Sequence, residues 1–164
     1  MNNIPNEYEK EKMIDTYVRD SFDSSDSINK IDWSKTQDPD IKNLIDYTTG
    51  LIKLRRSTDA FSLGDKNLVD SSVKLSYCDS VETNGQAIVY ETKATNGDKY
   101  FIFVNATNYT KDFETTHIDL SDAIVIVDSD EAGTTEVSKL SGVNIYTNKV
   151  TLEGVTAVVF KKEN

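Results

Sequence analysis

The 164-residue chain predicts a mainly β protein, an antiparallel β-sandwich preceded by a loop and one long helix. Three observations carry this. One stretch, residues 39–56, has apolar residues at helical spacing. From about Ser62 that periodicity disappears, and short β-rich runs alternate with turn signals every eight to twelve residues. No second helix is expected after it, so the strands must cover one another.

The helix is expected to begin at Asp38-Pro-Asp. Asp38 can cap, Pro39 suits the first helical position, and Asp40 complements the positive end of the dipole. Ile41, Leu44, Ile45, Leu51 and Ile52 form a stripe that Tyr47 and Leu54 widen, and Lys53, Arg55 and Arg56 fall in the last turns. Gly50 costs a helix interior about 1 kcal/mol against Ala. Its presence predicts that another element crosses closely there.

Eight strands are expected: Val73–Tyr77, Ala87–Thr92, Tyr100–Ala106, Thr110–Asp119, Ala123–Asp128, Asn144–Thr147, Lys149–Leu152 and Thr156–Lys161. Thr95-Asn-Gly-Asp98 reads as a hairpin turn, and Asp130–Gly133 and Glu153-Gly154 as further turns. Tyr100-Phe-Ile-Phe-Val104 is hydrophobic on both faces, which marks a central strand. Strand order stays open.

Composition narrows the function classes. A net charge of −10 argues against nucleic acid and anionic membrane as partners, and leaves a neutral ligand such as carbohydrate permitted. The single Cys78 excludes an internal disulfide and a cysteine-rich zinc site, and His117 is the one histidine. No apolar run approaches the ~20 residues of a membrane span. Met1–Tyr17 lacks the apolar core of a signal peptide, so an export signal is expected outside this chain. Residues 1–12 read as frayed or weakly helical.

Asp20–Trp33 crowds four aspartates, four serines, an asparagine and two aromatics into one stretch. Serine and aspartate bond their own backbone, so its first half reads as an ordered loop. By composition it is a solvated acidic turn. Ile28 and Ile31 flank Trp33 and favour a core position for that ring over a sugar platform.

Other residues have ordinary readings. Asp128, Asp130 and Glu131 lack the glycine-bearing twelve-residue calcium loop and read as a solvated turn. His117 reads as a surface residue. Arg55 and Arg56 are expected to complete the helix C-terminus and pair with nearby acids. Asn105-Ala-Thr107 and Asn108-Tyr-Thr110 match glycosylation sequons of little weight.

Two stretches together say more. DSFDSSDSINKIDW, then DYTTGLIKLRRSTDAFSL, then a β-rich tail containing NGDKYFIFVNAT, resemble the C-terminal end of bacterial type I pullulanases. These are α-1,6-glucan debranching enzymes of glycoside hydrolase family 13, the α-amylase superfamily. In that family the last strand of a (β/α)₈ barrel leads into a loop of the pattern Asp/Asn-Ser-Tyr-Asp/Asn-Ser-x-Asp. Next come an Asn-x-x-Asp-Trp stretch and a helix reading Gly-Leu-Ile-x-Leu-Arg, and an all-β C-terminal domain closes the chain. The resemblance covers roughly residues 19–164 and is strongest over 20–33 and 46–63.

The resemblance implies that residues 1–61 hold the closing loop and last helix of a catalytic barrel, and 62–164 the C-terminal sandwich. It places Asp20, Ser21, Phe22 and Asp26, with Asp23 and Asn29, on the family's loop at the barrel rim, where active sites of that fold are built. There Asp20 and Asp26 could bond sugar hydroxyls or merely buttress the loop, while Asp23 and Asn29 are expected to buttress. Phe22 departs from the usual Tyr and lacks its hydroxyl. Retaining hydrolysis needs two carboxylates about 5 Å apart, supplied in the family by earlier strands. The chain alone is therefore expected to hold no catalytic residue, and no cofactor, with calcium conceivable only in a parent enzyme. The implied partners are α-glucans (pullulan, branched dextrin) through that parent, and the missing barrel, which would leave an apolar patch or oligomer contact on helix 39–56. The parent is expected to be secreted or cell-surface attached. The alternative is a free-standing α-glucan-binding module. It needs exposed, coplanar aromatics drawn from Tyr90, Tyr100, Tyr109 and Tyr146.

Overall fold

The computed structural model describes residues 25–78 and 85–164. Helix α1 is the short Asp26–Asn29, followed by a 3₁₀ turn, Trp33–Gln37. Helix α2 runs Pro39–Ser57, with Asp38 Oδ1 accepting the Asp40 amide at 2.9 Å as the expected cap. Helix α3 is Lys66–Ser72. The strands are β1 Val73–Cys78, β2 Ala87–Lys93, β3 Lys99–Asn105, β4 Lys111–Glu114, β5 Ile124–Val127, β6 Val143–Tyr146, β7 Lys149–Leu152 and β8 Thr156–Lys162.

All eight expected strands form. The fourth is much shorter than its expected range: after Glu114 the chain turns, the Ile118 amide bonding the Thr115 carbonyl at 2.9 Å. Helix α3 corrects the expectation of a single helix. Asp65 caps it by accepting the Asn67 and Leu68 amides, at 2.9 and 3.1 Å. Its one apolar pair, Leu68-Val69, is too short to show a period.

Every strand pair is antiparallel, in a five-stranded sheet of order β1-β2-β3-β8-β5 and a three-stranded sheet of order β4-β7-β6. The β2–β3 hairpin closes at Thr95–Asp98, where Gly97 takes φ +101° and the Ala94 amide bonds the Asp98 carbonyl at 2.8 Å. Strand β3 lies at the middle of the larger sheet, as its two-sided apolar pattern demands. Phe101 and Phe103 point between the sheets, joining Val89, Phe113, Val150, Leu152, Val158 and Phe160. Phe103 meets Phe113 and Phe160 edge to face, at centroid distances of 5.8 and 5.4 Å. Tyr100 and Ile102 point to the other face, which carries Leu54 and Ala60. Helix, large sheet and small sheet thus stack as three layers.

Helix α2 packs through Tyr47, Gly50 and Leu54. A Cβ on Gly50 would lie 1.8 Å from the Ala132 carbonyl oxygen, so the crossing expected there is the loop after β5. That loop also covers the free edge of β5: the Gly133 amide bonds the Ile126 carbonyl and the Val137 amide the Val125 carbonyl, each at 2.9 Å. Asp128 ties it down and corrects its reading as a solvated residue. It is fully buried, and its carboxylate accepts the amides of Asp130, Glu131 and Ser141, each at 2.9 Å. Its carbonyl accepts the Tyr47 hydroxyl at 2.9 Å. Burial, then the nearby Asp128 charge, raises that phenol's pKa.

Asn105 is likewise fully buried, which removes its sequon from consideration. Its amide donates to the carbonyls of Tyr109 and Glu153 at 2.8 and 2.9 Å, and its oxygen accepts the Thr107 hydroxyl at 2.7 Å. It joins the turn after β3 to the turn before β8.

Three outcomes follow from this packing. Gly50→Ala is expected to destabilise by about 2 kcal/mol or more, since overpacking against backbone outweighs the gain in helix propensity. The urea midpoint measures it. Asn105→Ala is expected to cost about 2–3 kcal/mol, because two carbonyls and the Thr107 hydroxyl lose a buried partner. The same titration reads it.

The third concerns pH. Side-chain hydrogen bonds from Thr95, Thr151, Lys162 and Ser138 lower the pKa values of Asp59, Asp112, Asp119 and Glu131 respectively. Their contribution is present above the unfolded carboxylate value, about 4, and is lost as pH falls through the lower folded values. Lys149 and Lys161 are raised, chiefly by hydrogen bonds to Asp112 and Glu163. Their contribution is present below about pH 10 and is lost as pH rises through the raised folded values. The melting temperature should therefore be flat from about pH 5 to 10 and fall on either side, in thermal melts across pH 2–12.

Candidate functional site

The apolar residues of helix α2 do not form one stripe. Tyr47, Gly50 and Leu54, at i, i+3 and i+7, face the sheet. Leu44, Ile45, Leu51 and Ile52 lie on another side and are exposed, Leu44 by 65% and Ile52 by 54%. The sequence reading merged the two because a wide stripe and two separate faces share many of the same offsets. Four large aliphatic side chains, paired as Leu44-Ile45 and Leu51-Ile52 two turns apart with Thr48 between the pairs, are exposed along this side of the helix. Exposed apolar groups gathered on one face mark an interaction site.

The polar residues near these pairs bond within the helix. Lys42 pairs with Asp46 at 2.6 Å, and Thr48 bonds back to the Leu44 carbonyl at 2.7 Å. Arg55 was expected to pair with an acid. Its guanidinium instead donates to the Phe61 carbonyl at 2.7 Å, fixing the chain as it leaves the helix.

Of the loop residues singled out in the sequence, Asp20, Ser21, Phe22 and Asp23 lie outside the described residues. Asp26 is the first residue of helix α1 and is exposed, as is Asn29. Trp33 corrects the expectation of a core residue: it opens the 3₁₀ turn and is 70% exposed. Asp32 caps that turn by accepting the Ser34 amide at 3.0 Å, and no buried residue lies in it.

The aromatic platform is not formed by the four tyrosines considered for it. Tyr100 is buried against Phe61, with ring centroids 5.1 Å apart. Tyr90 is half-buried on the helix-bearing face, and burial raises its pKa. Tyr109 and Tyr146 are exposed, but they flank opposite ends of the small sheet. Tyr109 precedes Lys111, which pairs with Leu152, whereas Tyr146 pairs with Lys149. His117 is exposed, as expected. Among the described residues no cluster of three or more His, Cys, Asp or Glu could hold a metal ion.

Comparison with known proteins bears on this arrangement. Residues 72–163 match the family described as SpuA C-terminal. The chain is 35% identical over 154 residues to Pullulanase A of Streptococcus pneumoniae serotype 2, and equally to that of serotype 4, covering 88% of this chain. It spans only 12% of the length of those relatives. Among solved structures it is similar to the Group B Streptococcus pullulanase SAP, at 34% identity and a TM-score of 0.78 over 89% of this chain and 20% of that one. It is also similar to the pneumococcal glycogen-degrading virulence factor SpuA, solved as a product complex, at 33% identity and a TM-score of 0.80 over 90% of this chain and 16% of that one. SAP has also been solved with maltotetraose. The antiparallel sheets, the helix before them and the matched residues agree: the chain belongs to the SpuA C-terminal family and corresponds to the C-terminal part of pullulanases.

Proposed function

We propose that this chain is the C-terminal accessory portion of a pullulanase-type enzyme that hydrolyses α-1,6-glucosidic bonds in pullulan and branched dextrins. In this reading residues 1–61 close a catalytic barrel and residues 62–164 are the sandwich that braces it. The observation that carries it is the exposed strip Leu44, Ile45, Leu51 and Ile52. A helix buried on one face by its own sheet, with a second apolar face open, fits a helix made to lie between two bodies. The barrel would cover that second face.

The same reading assigns the chemistry elsewhere. A retaining glycosidase needs a nucleophilic carboxylate and a protonated acid about 5 Å apart. The described carboxylates with lowered pKa values, Asp32, Asp59, Asp112, Asp119 and Glu131, are each held by serine, threonine or lysine donors. Those partners suit a structural role. The chain alone is inactive, needs no cofactor of its own, and meets α-glucan only through the parent enzyme. Asp20, Ser21, Phe22 and Asp26 then touch substrate only once the barrel rim is assembled around them. The parent acts at the cell surface or outside the cell. No described helix is long and apolar enough to cross a membrane, so this chain supplies no helical anchor among those residues.

The test is a chimaera in which this chain replaces the matching segment of pneumococcal Pullulanase A, with a reducing-sugar assay on pullulan. The chimaera should be active and the isolated chain should not. Leu44→Lys together with Ile52→Lys should lower the chimaera's activity or assembly at least about tenfold, because two ammonium groups would be buried without partners. Without the barrel, the wild-type chain should self-associate through the strip in size-exclusion chromatography, and the double variant should be monomeric. Turnover by the isolated chain, or a double variant as active as the parent chimaera, would sink the reading.

A further inference from the structure

Beyond the outer face of helix α2, a second feature lies at its C-terminal end. The chain leaves the helix through Ser57, Thr58 and Asp59 and passes the β2–β3 hairpin. A cavity of about 320 Å³ remains there, floored by Leu54, Tyr100 and Ile126 and rimmed by Asp59, Asp98 and Lys161. The floor belongs to the packed interior: Leu54 is 5% exposed, Tyr100 3% and Ile126 not at all.

Tyr100 is the unusual member. Its hydroxyl has no hydrogen-bond partner among the described residues, although a buried phenol normally finds one. The ring is held at the other side by Phe61, edge to face. Tyr100 is the direct cross-strand partner of Lys161, and both line the cavity. A polar group taken out of water without a partner costs free energy, so the site favours an occupant that can bond it.

The rim defines the kind of occupant. Asp59 accepts the Thr95 amide and hydroxyl at 3.1 and 2.5 Å. Asp98 accepts from Asn96 Nδ2 at 3.1 Å and from the Asn164 amide at 3.2 Å. Lys161 Nζ lies 2.7 Å from Glu163 and 3.8 Å from Asp98. An anion would face two carboxylates and a cation would face the ammonium, so both signs of charge are opposed. Charged and polar groups surround an apolar floor, and that combination suits a neutral ring with hydroxyls at its edge and C–H groups on its faces. The volume sits at the lower end of small-molecule sites, about 300–1,000 Å³, enough for one ring and too small for a chain of them.

We propose that this cavity binds a single neutral, hydroxyl-rich ring of hexose size, with the Tyr100 hydroxyl as its central hydrogen-bond partner. The site is separate from the apolar strip and does not rest on the barrel reading, because its residues belong to the end of helix α2 and the turn after it, the β2–β3 hairpin, strands β3, β5 and β8, and Thr134 in the loop after β5.

The probe is D-glucose, titrated into the ¹⁵N-labelled full chain and followed by amide shifts of Asn96, Asp98 and Thr134. Saturable shifts confined to these residues are expected, with a dissociation constant on the order of 1–10 mM for so small a ligand. Inorganic phosphate and ethylammonium should not reproduce them. Tyr100→Phe, which keeps the ring, should weaken glucose binding at least about fivefold while leaving the rest of the spectrum unchanged. Lys161→Met is the second variant should the first unfold, and the same loss is expected. No saturable shift with glucose, equal shifts with phosphate, or variants that bind like the wild type would each overturn the proposal. Failure of the pullulan chimaera would leave this result untouched.

Discussion

The burial of strand β3 on both faces is the constraint on which the rest depends. Phe101 and Phe103 need a second sheet over them, and Tyr100 and Ile102 need something on the opposite side. Fully burying side chains of this size contributes about 1.5–3 kcal/mol each, so neither face can be left in water without a large loss. One face is closed by β4, β7 and β6. The other is closed by helix α2, brought close by Gly50 and locked by Tyr47 onto the Asp128 carbonyl. A sandwich with a helix on one outer face is what this strand asks of its surroundings.

The irregular parts serve the same stack. The loop after β5 passes beneath the helix at Ala132, protects the β5 edge and is pinned by the buried Asp128 carboxylate. Asn105 does the equivalent at the junction between the two sheets. Both are buried polar residues whose side-chain bonds go mainly to backbone. Satisfied in this way, a buried polar side chain specifies a loop path that apolar packing alone would leave loose. Charge on the surface adds little by comparison, because its pairs stay in contact with water.

The family match, residues 72–163, begins after helix α2. That helix presents one face to its own sheet and a second face with exposed apolar side chains outward. The curated relatives, of which this chain spans 12%, are far longer than it. The loop motif that carried the resemblance, residues 20–33, precedes helix α2, and the helix motif, residues 46–63, runs through its second half.

What the sequence by itself determined was the class and nearly all of the elements. Alternation and turn residues are local, so the eight strands, the Thr95–Asp98 hairpin and the cap at Asp38 were legible, and the two-sided pattern of Tyr100–Val104 announced the central strand. The family was legible too, from two motifs in order. Only the tertiary structure decided which way each residue faces. The stripe on helix α2 split into an inner and an outer face because period alone does not say which side a sheet will cover. Asp128 looked like a surface turn residue because burial depends on distant segments closing over it. Trp33, expected in the core, is exposed for the same reason. Local chemistry sets what a residue can do, and the chain's long-range contacts set whether water reaches it.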